Sequence, residues 1–169
     1  MSLVLIGPMG SGKTKLGKRI AAILGKPFVD TDRMIVAEHG TIAELFEQFG
    51  EAHFRELERV AVEDALAQDA VVALGGGAIL NEQTQADLAD RRVALITVSA
   101  DAVAPRITGT KRPLLTGGIE SWTRILESRR ETYERLATHT WDTSSRPLTA
   151  IAEEIAAWAA SDESRVGIR

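Results

Sequence analysis

Residues 7–14 read Gly7-Pro8-Met9-Gly10-Ser11-Gly12-Lys13-Thr14, which fits G-x-x-x-x-G-K-[ST] at every position. The chemistry of such a loop is polyphosphate binding. Its glycines let consecutive backbone N–H groups turn inward onto phosphate oxygens, and the helix that follows adds its positive end. Lys13 is placed to reach the β- and γ-phosphates, and the Thr14 hydroxyl to bind Mg²⁺. The competing reading, an ordinary glycine-rich turn, does not account for the complete motif between a strand and a helix. A dinucleotide loop needs G-x-G-x-x-G, whereas the glycines here run G-x-x-G-x-G. A GTPase would carry D-x-x-G and N-K-x-D, and neither string occurs. The signature is that of an ATP site.

Further along, Asp30-Thr31-Asp32 closes a short apolar run. Open parallel sheets bind ligands beyond the carboxyl ends of their strands, so both carboxylates would face the nucleotide crevice. One could steady the hydration shell of Mg²⁺, and the other could accept a hydrogen bond from an acceptor hydroxyl. Asp32 as a plain helix cap is the alternative. Glu51, Arg55 and Glu58 fall at i, i+4 and i+7 on one helix face. Such a stripe is either a solvated row of ion pairs or a mount for Arg55, whose guanidinium can grip a carboxylate through two parallel hydrogen bonds. Gly75-Gly76-Gly77 ends another strand and either admits a small substrate close to the backbone or forms a flexible turn. Lys111-Arg112-Pro113-Leu114-Leu115 sets two cations beside a proline and an apolar pair. Arg129 and Arg130 lie on a helix rich in Arg and Glu, and sequence does not say which faces inward.

Short apolar runs alternating with helical patterns must hold these residues. Strands are expected at Ser2–Gly7, Pro27–Asp30, Val71–Leu74, Val93–Val98 and His139–Asp142. Leu16, Ile20, Ile23 and Leu24 form the apolar stripe of a first helix. Thr41-Ile42-Ala43-Glu44 reads as a capping box opening a helix through Phe49. Further helices are expected over Glu51–Ala67, from an Asn81 cap to Asp90, over Glu120–Ala137 and over Pro147–Ala160. The last has Leu148, Ile151, Ile155 and Trp158 on its buried face. Buried strands alternating with helices imply an α/β fold with a parallel sheet covered on both faces. The 169 residues are expected to form one domain. A lid is expected over about 108–118, where glycine and proline replace periodicity, and a flexible polar tail over about 161–169.

Composition narrows the function further. Hydrophobic residues make up 44% and charged residues 26%, with a net charge of −4. That balance fits a globular chain and argues against a nucleic-acid partner, which would need a basic footprint. With no cysteine, disulfides, thiolate zinc sites and cysteine nucleophiles are excluded. The N-terminal apolar run is too short for a signal peptide, and no stretch approaches the length of a membrane span. A cytoplasmic protein without membrane partners is expected.

Taken together, these strings resemble the shikimate kinase family, over about Leu3 to Trp158 and in the family's order. The resemblance rests on Asp-Thr-Asp at 30–32, Gly-Glu-x-x-Phe-Arg-x-x-Glu at 50–58 and Gly-Gly-Gly-Ala at 75–78. Arg-Pro-Leu-Leu at 112–115 and Arg-x-x-x-Tyr-x-x-x-Ala at 129–137 complete it. One departure is Gly-Lys-Thr-Lys, where many members read Gly-Lys-Ser-Thr; Thr14 keeps the hydroxyl. The resemblance implies five parallel strands in a nucleoside-monophosphate-kinase-like P-loop fold with a mobile lid. It implies that Asp32 holds the shikimate hydroxyls, Arg55 and Arg129 its carboxylate, and Gly76 contacts the substrate. Catalysis would fall to Lys13, Asp32 and the lid residue Arg112. ATP would be bound by Gly10, Ser11, Gly12, Lys13, Thr14, Arg106, Arg112 and Arg146, the adenine lying against Arg106 and Arg146-Pro147. One Mg²⁺ would sit on Thr14, with Asp30 acting through water.

The implied reaction moves the γ-phosphoryl of MgATP to the 3-hydroxyl of shikimate, giving shikimate 3-phosphate and ADP in aromatic amino-acid biosynthesis. A monomer is expected. The rivals are a gluconate-type carbohydrate kinase, whose acceptor is also a hydroxylated carboxylate, and a non-catalytic ATP-binding regulatory module. An adenylate kinase fits less well, because the segment between the second and third strands is short and poor in arginine.

Overall fold

The computed structural model describes residues 1–108 and 117–161. Most of the expected lid, with Lys111 and Arg112, and nearly all of the expected tail lie outside the described residues. Five strands, β1 (Leu3–Ile6), β2 (Phe28–Asp30), β3 (Val71–Ala73), β4 (Arg92–Thr97) and β5 (His139–Asp142), fall on the runs expected from sequence. They form one sheet in the order β2-β3-β1-β4-β5, with every pairing parallel. Val4, Ile6, Val72, Leu74, Val93 and Leu95 pack on one face with Val62, Ala65 and Tyr133. Leu3, Leu5, Val71, Ala94 and Ile96 pack on the other with Leu16, Ile20, Ile151 and Ile155. Successive side chains thus enter opposite cores, which is why β1 reads as an unbroken apolar run and not as an alternation.

The helices are α1 (Lys13–Leu24), α2 (Thr31–His39), α3 (Ile42–Leu66), α4 (Glu82–Leu88), α5 (Ala100–Ile107), α6 (Ile119–Leu136) and α7 (Leu148–Ala160). The capping box is formed: Glu44 N–H donates to Thr41 Oγ1 at 3.3 Å, and Thr41 N–H to Glu44 Oε2 at 3.2 Å. The two helices expected on either side of residue 50 run on as α3, bent at Gly50, whose φ of 80° suits glycine. That bend turns the segment bearing Arg55 and Glu58 toward the sheet edge. Asn81 caps α4 as expected, accepting from the amides of Gln83 and Thr84.

Two expectations need correction. Ile23 is 53% exposed and does not belong to the buried stripe of α1. Gly17 and Ala21 are buried beside Leu16 and Ile20 instead, because the small face of α1 lies against the Phe28 ring. This rotation leaves Ile23 at the rim. In addition, α5 has no counterpart among the expected elements: it is only eight residues long and contains Pro105, a residue that argues against a helix interior. No helix among the described residues is long and apolar enough to cross a membrane.

Candidate active site

The phosphate loop joins β1 to α1 at the carboxyl edge of the sheet. Gly10 and Gly12 have φ of 77° and 99°, conformations that other residues rarely adopt. Side chains from three other elements hold the loop's carbonyls. Trp122 Nε1–H on α6 donates to Met9 O at 2.8 Å, Arg106 Nη1 on α5 to Gly10 O at 3.1 Å, and the Thr143 hydroxyl after β5 to Ser11 O at 2.7 Å. Arg106 also donates to Thr143 O at 2.9 Å. Lys13 Nζ donates to Gly7 O at 2.7 Å and Pro8 O at 2.9 Å. The first amides of α1 have no intrahelical partners, and Gly12, Lys13 and Thr14 line the adjoining cavity. This is an anion cradle with an ammonium at its edge.

Beside it, the Thr14 hydroxyl donates to Asp30 Oδ2 at 2.8 Å. Asp30 Oδ1 accepts from Arg33 N–H at 3.2 Å, so Asp30 is the N-cap of α2, and Asp32 stands in the first turn. The cap reading considered for Asp32 therefore belongs to Asp30, and the Asp32 side chain faces the cavity. A hydroxyl and a carboxylate side by side are hard oxygen donors suited to Mg²⁺, an ion that keeps several waters and takes its remaining ligands from substrate phosphates. In keeping with that, no group of three or more His, Cys, Asp or Glu among the described residues could cage a metal unaided.

Across the cavity, Arg55 is not on a solvated stripe. Its Nη1 donates to Glu58 Oε1 at 2.8 Å and its Nη2 to Glu51 Oε1 at 3.1 Å. Glu58 is only 3% exposed. Burial pushes the Glu58 carboxyl above its ordinary range, against the pull of Arg55. Burial also works against the charge on Arg55, but Glu58 and Glu51 outweigh it and keep the guanidinium firmly protonated. Arg55 Nε is buried and has no hydrogen-bond partner among the described residues. The triglycine loop is packed among these groups. A Cβ on Gly75 would strike Asp32 Oδ1 and lie 3.0 Å from Glu58 Oε2, and one on Gly77 would overlap the Arg55 guanidinium. Gly75 N–H donates to the buried Thr31 hydroxyl at 3.1 Å, tying the loop to α2.

The cavity between these walls measures about 1060 Å³. It brings together Gly10, Gly12, Lys13, Thr14, Asp30, Asp32, Arg55, Gly76, Arg106 and Arg129 from the expected set. Of the adjacent arginines on α6, Arg129 is buried and Arg130 pairs with Glu127 at the surface. Ser11 is buried and off the cavity wall, Arg146 is bound to Glu154 at the surface, and Arg112 lies outside the described residues. Residues without an expected role also line it: Ile42, Phe46 and Phe54 form an apolar wall beside Arg55. Thr31, Trp122, Tyr133 and Thr143 are buried supports of the two loops; Thr31 and Tyr133 lie in the Asp-Thr-Asp and Arg-x-x-x-Tyr strings, whereas Trp122 and Thr143 carry no signal in the sequence.

A phosphate loop at the switch edge of a parallel sheet, facing an aspartate and two arginines over one cavity, defines a P-loop phosphotransferase acting on a small anionic acceptor. Comparison with known proteins narrows the class. The shikimate kinase family model matches residues 9–160. A shikimate kinase of Thermobifida fusca is 46% identical over 157 residues, covering 90% of this chain and 91% of the relative. The solved shikimate kinase of Acinetobacter baumannii in complex with shikimate superposes with a TM-score of 0.90 at 30% identity, covering 97% and 95% of the two chains. A gluconokinase from Sinorhizobium meliloti, at 21% identity and a TM-score of 0.60, shares the fold. The chain belongs to the shikimate kinase family.

Proposed function

We propose that the protein phosphorylates the 3-hydroxyl of shikimate with ATP, releasing ADP and shikimate 3-phosphate. The observation that carries this reading is the opposition, within one cavity, of Lys13 and Thr14 to Asp32, Arg55 and Arg129. An acceptor with a ring hydroxyl and a carboxylate uses all three opposing groups: Asp32 takes the hydroxyl, and the two guanidiniums take the carboxylate. The apolar side of an alicyclic ring lies against Ile42, Phe46 and Phe54.

Phosphoryl transfer asks the protein mainly for positioning and charge neutralisation. The loop amides and Lys13 cradle the β- and γ-phosphates, and Arg106, which also braces the loop through Gly10 O and Thr143, borders the nucleotide side. Mg²⁺ would be held by Thr14, with Asp30 through water, and would neutralise phosphate charge. Asp32 aligns the acceptor hydroxyl with the γ-phosphorus and takes its proton as the new O–P bond forms and the bond to the β-phosphate oxygen breaks. Arg112 is assigned the growing charge on the transferred group. The test is product analysis: ³¹P and ¹H NMR after incubation with MgATP and shikimate should show one new phosphomonoester coupled to the proton on C3. Phosphate on another hydroxyl would refute the placement of Asp32.

A further inference from the structure

Tyr133 is the conspicuous residue of the Arg-x-x-x-Tyr string that the transfer mechanism leaves without a task. It is 2% exposed and is the only tyrosine in the chain. Its hydroxyl donates to Gly76 O at 2.5 Å, across 57 residues of sequence. Gly76 is the least buried member of the triglycine loop, all three of whose residues line the cavity; a Cβ there would stand 3.4 Å from Arg129 Nη1 and 3.6 Å from the Tyr133 hydroxyl. Arg129 precedes Tyr133 by four residues, so both project from one face of α6. The same helix carries Trp122, which binds the phosphate loop through Met9 O at 2.8 Å. Trp122 and Tyr133 are 11 residues apart, roughly 16 Å along an α-helix.

We infer that Tyr133 is a positioning residue for the acceptor: it fixes the Gly76 backbone and the neighbouring Arg129 against α6, while Trp122 fixes the phosphate loop to the same helix. The inference rests on the acceptor reading given above. The length of α6 between the two rings then sets the spacing between the bound phosphates and the acceptor hydroxyl. Burial pushes the Tyr133 phenol up to about 12, against the pull of Arg129, so it remains a donor throughout the neutral range. A half-buried carbonyl that loses this donor relaxes toward another partner, and displacements of about 1 Å at a reacting centre can cost on the order of 100-fold in rate.

The test is Tyr133→Phe, which keeps the ring in the core and removes the hydroxyl alone. Amide hydrogen exchange, measured without substrates, should be at least about fivefold faster over residues 74–80, with residues 7–14 unchanged. In steady state, kcat/KM for shikimate should fall at least tenfold while the KM for ATP stays within twofold. Trp122→Phe should show the opposite split, with the ATP KM raised more than the shikimate KM. Unchanged exchange at 74–80, or an equal rise of both KM values in Tyr133→Phe, would overturn the proposal. If the parent enzyme does not phosphorylate shikimate, the acceptor reading fails by itself, and the exchange measurement still decides whether Tyr133 holds the loop.

Discussion

Replacing Arg55 with alanine disturbs two things at once, and the structure allows them to be separated. The first is stability. Glu58 is only 3% exposed and its nearest cation is Arg55, at 2.8 Å. Removing one member of a buried pair costs about 3–5 kcal/mol when the other must stay charged. Glu58 can escape part of this by taking up a proton, since burial already raises its pKa, so a loss of about 2–3 kcal/mol is expected, or a Tm lower by roughly 5–10 °C. The sign of the pH dependence follows. A carboxyl with a raised folded pKa stabilises the fold fully below its ordinary range and loses that contribution as pH rises through the raised value. Arg55 opposes the rise, so its removal moves Glu58 further up. The deficit of Arg55→Ala should therefore be small near about pH 4 and full at neutral pH.

The second effect is on the acceptor. Losing one partner of a desolvated, bidentate contact costs about 2–5 kcal/mol, or roughly 30-fold to several thousand-fold in affinity. Arg55→Lys should do nearly as badly, because an ammonium cannot reproduce the fork held between Glu51 and Glu58. Calorimetric titration of both variants with shikimate and with ATP, beside thermal melts from pH 4 to 8, measures both effects. Shikimate affinity within twofold of the parent, together with a Tm deficit independent of pH, would refute the pairing and the acceptor role alike.

Other outcomes follow from the same geometry. Thr14→Val keeps the shape but removes the hydroxyl that contacts Asp30, so the Mg²⁺ concentration for half-maximal rate should rise severalfold; undiminished turnover in excess chelator would rule out the metal assignment. Gly77 has φ −96° and ψ −1°, a conformation open to any residue, so Gly77→Ala should act only through the clash of its Cβ with the Arg55 guanidinium. The shikimate KM should rise about tenfold with the ATP KM unchanged, comparable to a loss of one good hydrogen bond; an unchanged shikimate KM would remove Arg55 from the acceptor wall. Arg112→Ala should lower kcat about 100-fold or more, with a smaller loss of ATP affinity, as loss of a charge-stabilising donor does, and a kcat within threefold of the parent would remove Arg112 from the chemistry.

Local signals in the sequence were sufficient for the phosphate loop and the sheet. The loop is eight contiguous residues, and strands buried on both faces declare themselves as apolar runs. What sequence leaves open is decided by contacts between distant segments. The spacing of Glu51, Arg55 and Glu58 fits a solvated stripe equally well until the fold sets Arg55 and Glu58 against the triglycine loop and leaves Glu51 exposed. In sequence Asp32 reads either as a helix cap or as a contact to the acceptor hydroxyl; the start of α2 gives the cap to Asp30 and leaves Asp32 to the cavity. Arg129 and Arg130 differ only in which side of α6 meets the sheet. The bonds of Trp122, Tyr133 and Thr143 to loop carbonyls span 113, 57 and 132 residues, and no local pattern encodes partners so far apart.

This cavity brings ATP together with an acceptor bearing both a ring hydroxyl and a carboxylate. ADP release measured in parallel with shikimate, gluconate and AMP, each with and without chelator, tests it most directly. The geometry predicts metal-dependent ADP release with shikimate that exceeds either alternative by at least 100-fold in kcat/KM, since AMP has no carboxylate for Arg55 and Arg129, and open-chain gluconate has no ring to hold its hydroxyl against Ile42, Phe46 and Phe54 at Asp32. Comparable or faster release with gluconate or AMP, or none above background with shikimate, would contradict it.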